Sequence, residues 1–116
     1  MSARGTYRTG RSAEAIAAWL LRLKGFRILA QRYAPPVGEI DLIARRGRTV
    51  AFVEVKWRAT VIERDRAIDQ FRLRRVGAAA EAVAHRYASP HDTVRIDVLL
   101  LAPRRWPRHI VNAWQP

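Results

Sequence analysis

Residues 38–57 have the sequence GEIDLIARRGRTVAFVEVKW, and this stretch decides the fold because it describes two strands joined by a tight turn. The first arm, GEIDLIAR, and the second, TVAFVEVKW, are rich in the β-branched and aromatic residues that favour strands. The turn falls near Arg46, Gly47 and Arg48. The stretch therefore predicts a β-hairpin.

The hairpin collects charged side chains on one face. Side chains alternate along a strand, so Glu54 and Lys56 share a face. A two-residue turn at 47–48 places Asp41 directly across from Glu54. A turn one residue earlier places Glu39 there and leaves Asp41 diagonal, still within reach. In both registers, two or three carboxylates and one ammonium group crowd one patch.

That patch has two interpretations. Like charges opposite one another destabilise a sheet, and a divalent cation held by Asp41 and Glu54 would remove this cost. Such a cation activates water and neutralises charge on a phosphodiester, and Lys56 is placed to assist that water. The alternative is a solvated face with ordinary surface ion pairs.

The composition indicates a polyanionic partner. The chain carries 22 lysines and arginines against 10 aspartates and glutamates, a net charge of +12 over 116 residues. Nearly all of the basic residues are arginine, whose planar fork of donors suits phosphate. A basic protein that is merely soluble, or associated with ribosomes, has the same composition.

Length and composition favour one domain without disulfides. Residues 12–116 are predicted to form a single α/β domain, and residues 1–11 a flexible basic arm whose Arg8 and Arg11 contact phosphates. The chain has no cysteine, which agrees with a cytoplasmic location. No apolar run is long enough to span a membrane, and the first residues lack the apolar stretch of a secretory signal.

The remaining pattern predicts a mixed sheet with helices packed against it. A first helix covers residues 12–24, with Ile16, Ala17, Trp19, Leu20 and Leu23 at helical spacing and Glu14 in its first turn, where a carboxylate suits the helix dipole. The other predicted elements are a strand at 26–33, a proline-containing loop at 34–38, the hairpin, a polar connection at 59–66 to which the sequence assigns no structure, a helix at 67–87, and strands at 93–101 and 109–114.

The sequence gives little support for other kinds of active or binding site. The three histidines lack metal-ligand spacing, and neither a P-loop nor a nucleophile elbow is present. Tryptophans stack on bases in some nucleic-acid-binding proteins. Trp19 is assigned to the core, whereas Trp57 and Trp106 stay open for either role.

The hairpin motifs, the glutamate on the preceding helix and the strand VRIDVLLL together resemble the YraN-like family of small bacterial proteins. That family is similar to archaeal Holliday junction resolvases and belongs with the restriction-endonuclease-like nucleases. The resemblance covers roughly residues 11–101. It implies a restriction-endonuclease-like fold, with a central mixed β-sheet flanked by α-helices, and a homodimer.

The resemblance also implies roles for individual residues. Asp41 and Glu54 match the metal ligands, the backbone carbonyl of Val55 a third ligand, and Lys56 the catalytic lysine. Glu14 matches a helix glutamate that completes the site. The basic residues expected to contact phosphate are Arg8, Arg11, Arg58, Arg72 and Arg75.

The function predicted is therefore a Mg²⁺- or Mn²⁺-dependent endonuclease acting on DNA, with branched DNA such as Holliday junctions among its substrates. No membrane and no small-molecule cofactor are expected. One alternative is a nucleic-acid-binding protein that retains the fold without catalysis. Another is a structural protein whose basic surface meets an acidic protein partner.

Overall fold

The computed structural model describes residues 3–33, 39–67 and 70–114, with the side chains of residues 12–32, 39–67 and 73–114. The predicted loop at 34–38 lies outside these residues. The elements in chain order are α1 (Ala3–Leu23), β1 (Arg27–Tyr33), β2 (Ile40–Arg46), β3 (Thr49–Trp57), α2 (Val61–Asp65), α3 (Gln70–Tyr87), β4 (Thr93–Leu101) and β5 (Arg108–Trp114).

The strands form one five-stranded sheet in the order β1-β2-β3-β4-β5. The pairs β1–β2, β2–β3 and β4–β5 are antiparallel, whereas β3 and β4 are parallel. A parallel pair requires a crossover connection, and α2 and α3 provide it between β3 and β4. The predicted mixed sheet with flanking helices is confirmed.

Each face of the sheet is covered by one long helix. On one face, α3 packs Leu73, Ala79 and Val83 against β-strand residues that include Phe52 and Val98. On the other face, α1 packs mainly alanines and a leucine against β2, β3 and β4. The three inner strands, β2, β3 and β4, are buried on both faces over much of their length, which explains why their sequences contain nearly continuous apolar runs.

The first helix differs from its prediction in length and in orientation. It begins at Ala3 rather than at residue 12, so residues 3–11 continue the helix instead of forming a separate arm. No proline interrupts this stretch, and its alanine and arginines favour helix. Glu14 is consequently not in the first turn, and its assignment to helix-dipole stabilisation is wrong.

The face of α1 that packs on the sheet matches the prediction only in part, because Ala17 is buried and Leu20 packs against the core, whereas other predicted residues are exposed. Trp19 is 65% exposed and Leu23 is 80% exposed, so the assignment of Trp19 to the core is wrong. The buried stripe consists instead of Ala13, Ala17 and Leu21, spaced four residues apart, together with neighbouring Ala18. This spacing also satisfies helical periodicity, and small side chains permit close approach to the sheet.

The segment between β3 and β4 adds detail that the sequence did not supply. The polar connection contains α2, whose start is capped by the Thr60 side chain accepting from the Glu63 N–H at 3.1 Å. The next helix, predicted from residue 67, is helical from Gln70. None of the helices in the described part of the chain has the length and apolar character needed to cross a bilayer.

Candidate functional site

The hairpin turn sets the register of the acidic residues. Arg46 pairs with Thr49, which leaves Gly47 and Arg48 as the two-residue turn, with Gly47 at a φ of 59°. Leu42 pairs with Val53. One further residue along this register places Asp41 beside Glu54, so the first of the two predicted registers is confirmed.

Asp41 is held close to β3 by a backbone hydrogen bond. The N–H of Val55 donates to Oδ2 of Asp41 at 2.8 Å. Burial raises the pKa of Asp41 to about 6 from its ordinary value of 3.8, against the lowering effect of the Val55 N–H. The charges of Glu54, Glu14 and Glu39 raise this pKa further, which shows that four carboxylates lie within electrostatic reach of one another.

Glu54 and Lys56 form a buried ion pair. Nζ of Lys56 lies 2.9 Å from Oε1 of Glu54, and the two residues are only 7% and 6% exposed. Desolvating a pair of charges is costly, so their burial is weak evidence for a role in stability alone. The pair places an ammonium group and a carboxylate at the carboxyl end of β3, where the predicted chemistry requires them.

Glu14 reaches the same region from α1 and is oriented by an arginine. Nε of Arg32 donates to Oε2 of Glu14 at 2.5 Å, and the glutamate side chain is 16% exposed. Arg32 lies between residues that pair with Leu42 and Ile40, so it is beside Asp41 in the sheet. Its φ of 52° lies in the left-handed region, which is unusual for arginine.

Arg32 was not anticipated from the sequence. One arginine among many on a strand at the edge of the sheet carries no signal that it meets a glutamate on a helix. The pairing emerges only once α1 is placed against the sheet. The hydrogen bond from Arg32 holds Glu14 close enough for its charge to raise the pKa of Asp41. This supports grouping Glu14 with the other acidic residues.

The charged residues of the hairpin line a cavity with a volume of about 300 Å³. Its walls are made by Glu39, Asp41, Glu54, Val55, Lys56, Arg75 and Val76. Basic, acidic and backbone groups therefore converge on an open space large enough for a phosphate group with its waters. Glu39, Asp41, Glu54 and Lys56 are brought together as the sequence predicted.

A divalent cation fits this donor set if water and phosphate complete its coordination. In the described part of the chain, no group of three or more His, Asp or Glu side chains is arranged as a metal cluster. The cavity offers the carboxylates of Asp41 and Glu54 and the neighbouring Val55 backbone. Mg²⁺ commonly binds through one or two carboxylates and retains several waters, so a sparse oxygen set agrees with it.

The predicted phosphate-binding arginines are only partly assembled. Arg75 lines the cavity. Arg58 follows β3 directly, is half-buried and donates from Nη1 to the Trp57 carbonyl at 2.7 Å. The side chains of Arg8, Arg11 and Arg72 lie outside the described residues.

A second polar cluster was missed by the sequence analysis. Asp97 on β4 is fully buried and binds Nε2 of His109 at 2.8 Å, Nε of Arg95 at 3.0 Å and the Asn112 N–H at 3.0 Å. Burial alone would raise the pKa of Asp97, but these hydrogen bonds outweigh it and lower the pKa. The VRID motif suggests an acidic residue on a strand but contains no indication of these partners.

Comparison with solved structures assigns the class of fold. The chain is similar to Hjc, a Holliday junction resolvase from the archaeal hyperthermophile Archaeoglobus fulgidus, with a TM-score of 0.58 and 19% sequence identity. The match covers 84% of this chain and 72% of that chain. The predicted nuclease-like fold is thereby confirmed.

Sequence comparison assigns the family. The model described as "Uncharacterised protein family UPF0102" matches residues 13–101. A UPF0102 protein of Sphingopyxis alaskensis is 65% identical over 107 residues, covering 92% of each chain. One from Erythrobacter litoralis is 63% identical over 109 residues, covering 94% of each. The chain belongs to the UPF0102 family, which confirms the YraN-like resemblance.

Proposed function

We propose that this protein is a metal-dependent endonuclease that hydrolyses phosphodiester bonds in DNA. The observation that carries the proposal is the placement of Asp41 beside Glu54 in a cavity that Lys56 and Arg75 also line. Repelling carboxylates buried in a protein of net charge +12 call for a bridging cation between them and a phosphate. The nuclease-like fold supports the same conclusion.

The proposed cation is Mg²⁺ or Mn²⁺, held by the carboxylates of Asp41 and Glu54 and the backbone carbonyl of Val55. When bound, such a cation lowers the pKa of a bound water and neutralises charge on the phosphodiester. The raised pKa of Asp41 means that its carboxyl must lose a proton before it binds the cation, so loading is favoured above about pH 6.

Lys56 and Arg75 in the cavity, and Glu14 beside it, have complementary proposed roles. Lys56 is held by Glu54 at 2.9 Å, and its ammonium group orients the attacking water or stabilises charge developing on the phosphate. Glu14 completes the acidic set and is kept in place by Arg32. Arg75 contacts a non-reacting phosphate oxygen.

The reaction balances as a simple hydrolysis. The water oxygen forms a new bond to phosphorus, and the bond between phosphorus and the 3′ oxygen breaks. One proton of the water passes to solvent, and the 3′ oxygen leaves with the bonding electron pair and takes a proton from solvent to become a hydroxyl. The products are a 5′-phosphate and a 3′-hydroxyl.

Partners and location belong to the same proposal. DNA is the proposed partner, with the arginines Arg8, Arg11, Arg58 and Arg72 adding phosphate contacts beyond the cavity. A homodimer is proposed on the resemblance to resolvases, and sedimentation equilibrium tests it against a monomer of 13.3 kDa. The lack of cysteine supports a cytoplasmic location.

One observation favours a second candidate, a DNA-binding protein without catalysis. Glu54 is already engaged by Lys56, whose Nζ lies 2.9 Å from its Oε1. Such a protein would bind DNA with strong salt dependence and no metal requirement, because counterion release dominates affinity of this kind.

The test is incubation of labelled four-way junction, flap, single-stranded and linear duplex DNA with Mg²⁺ or Mn²⁺. The wild type is compared with Glu54→Ala and with Glu81→Ala, which removes an exposed glutamate from α3. The proposal expects metal-dependent cutting that only Glu54→Ala abolishes. Tight binding without cutting under either metal would establish the second candidate, and weak binding at about 0.15 M salt would favour an acidic protein partner.

A further inference from the structure

The connection between β4 and β5 presents an aromatic side chain to solvent among arginines. Trp106 is 90% exposed, the highest value among the exposed large hydrophobic residues of the described chain. Arg104 and Arg105 precede it and Arg108 follows it, and all three are exposed. Exposing an indole to water has no benefit for stability, so a binding role accounts for it better than packing does.

The backbone that carries this indole is held in place. Arg64 of α2 is only 8% exposed, and its Nη1 donates to the Trp106 carbonyl at 2.8 Å. Asp65 accepts from Nε of Arg64 at 3.0 Å and lies 3.7 Å from Nη1 of Arg108. A buried arginine thus fixes the loop by its main chain while the indole remains free to meet a ligand, which reduces the entropy lost on binding.

The loop lies at the same end of the sheet as the acidic cavity. In the parallel pair of β3 and β4, Glu54 is beside Val98 and Trp57 is beside Leu101, the last residue of β4. Leu101 is therefore three residues beyond the level of Glu54 along the strand direction, which is about 10 Å at the usual rise of a strand. The loop starts just after Leu101. A polynucleotide bound in the cavity needs to extend only a few nucleotides to reach it.

We propose that Trp106 stacks on an unpaired base of DNA bound at the cavity, while Arg104, Arg105 and Arg108 contact the adjacent phosphates. A tryptophan face accepts any base by stacking, and arginine binds phosphate without regard to sequence. Bases in a continuous duplex are already stacked on one another and offer no free face. The substrate class is therefore DNA with single-stranded or unpaired nucleotides near the scissile bond, an inference that rests on the proposed nuclease function.

Binding measured in EDTA tests this inference independently of cleavage. Fluorescence anisotropy gives the Kd for a labelled single strand, a flap with an unpaired arm and a linear duplex at fixed salt. The variants are Trp106→Ala, Trp106→Phe and Trp19→Ala, the last being a matched control because Trp19 is also a largely exposed tryptophan but lies on α1. Thermal unfolding verifies that each variant is folded.

The expected result is selective for unpaired DNA. Trp106→Ala should weaken binding of the single strand and the flap by about 10-fold, within the range for losing one stacked base, and should weaken duplex binding by less than about 2-fold. Trp106→Phe should recover most of the loss, because phenylalanine still stacks. Trp19→Ala should bind all three substrates as the wild type does.

Two results would overturn the inference: equal losses on duplex and single strand, or no loss on any substrate. Tighter binding to an RNA strand of the same sequence would overturn the choice of DNA. The results that would refute the nuclease proposal are different ones. If Trp106→Ala selectively loses binding but the wild type never cuts, the stacking site stands and catalysis is refuted. If Trp106→Ala binds normally and Glu54→Ala abolishes cutting, catalysis stands and the stacking site is refuted.

Discussion

Replacing Asp41 with asparagine should stabilise the metal-free protein at neutral and alkaline pH. The folded protein raises the pKa of Asp41 from 3.8 to about 6, mainly through burial, so the ionised carboxylate is disfavoured by folding. That difference corresponds to about 3 kcal/mol, since one pKa unit is equivalent to about 1.36 kcal/mol. Asparagine removes the charge but keeps an oxygen that accepts from the Val55 N–H.

The pH dependence of this gain has a definite sign. Below pH 3.8 the carboxyl is protonated in both states, so Asp41 imposes no charge penalty. As pH rises, the unfolded chain ionises first, and the free energy of unfolding of the wild type falls until the folded carboxyl ionises near pH 6. The gain from Asp41→Asn should therefore be about 1–3 kcal/mol near pH 8 and largely vanish near pH 4.

Urea unfolding followed by circular dichroism, in EDTA and at low salt, measures this difference. The same substitution at Asp92 is the matched control. Two hydrogen bonds from Arg45, at 2.9 and 3.0 Å, and one from the Ser89 N–H lower the pKa of Asp92 to about 2. Asp92 therefore contributes stability above pH 3.8 that is lost as pH falls through about 2, so Asp92→Asn should destabilise at neutral pH.

The outcome also separates a functional acid from a structural one. An Asp41→Asn protein that is less stable than the wild type near pH 8 would refute the account of Asp41 as a strained, buried carboxylate. A gain that is equally large near pH 4 would show that the effect does not come from its charge. The expected pattern would identify Asp41 as a residue retained at a cost to stability, as residues of functional sites often are.

Three further expectations concern other parts of the molecule. Lys56→Met should cost about 3 kcal/mol or more in urea unfolding because it removes the ammonium group that lies 2.9 Å from the buried Glu54 carboxylate, and the double variant with Glu54→Gln should recover much of the loss. Gly77→Ala should lower stability by about 1–3 kcal/mol, because the added Cβ would overlap Cζ3 of Trp114, and the loss should shrink in a Trp114→Ala background. Asp97→Asn should destabilise at neutral pH but progressively less as pH falls through the lowered pKa of Asp97, since that carboxylate stabilises only when ionised; urea unfolding at several pH values tests this.

The hairpin and its acidic face were predictable because local chemistry determines them. A glycine between two apolar runs limits the turn, and strand alternation then assigns Asp41, Glu54 and Lys56 to one face. The two registers could not be separated from the sequence, because either residue beside Gly47 can complete a two-residue turn. The structure chooses Gly47-Arg48, with the positive φ at Gly47.

The orientation of α1 was not predictable because two stripes of this helix satisfy the same period. Hydrophobicity favoured the larger Ile16, Trp19 and Leu23 around Ala17, whereas the sheet takes the stripe that runs from Ala13 through Ala17 to Leu21. Propensity and periodicity carry no information about how closely a helix approaches the sheet, so the choice depends on tertiary packing.

The long-range polar contacts were also beyond the sequence. Arg32 and Glu14 are 18 residues apart, and Asp97 and His109 are 12 apart. In a chain with 22 basic residues, every acid has many candidate partners, so composition cannot select among them. Only the assembled sheet, with α1 on one face and β5 at one edge, determines these pairs.

The most direct test of the central claim is single-turnover cleavage of a labelled four-way junction in Mg²⁺ by the wild type, Glu54→Gln and Glu63→Gln. Glu54 lies in the cavity, whereas Glu63 is an exposed glutamate on α2. The account predicts that the wild type and Glu63→Gln cut at similar rates, that Glu54→Gln loses at least about 100-fold, and that EDTA stops all cutting. Cutting by Glu54→Gln at the wild-type rate, or undiminished cutting in EDTA, would contradict it.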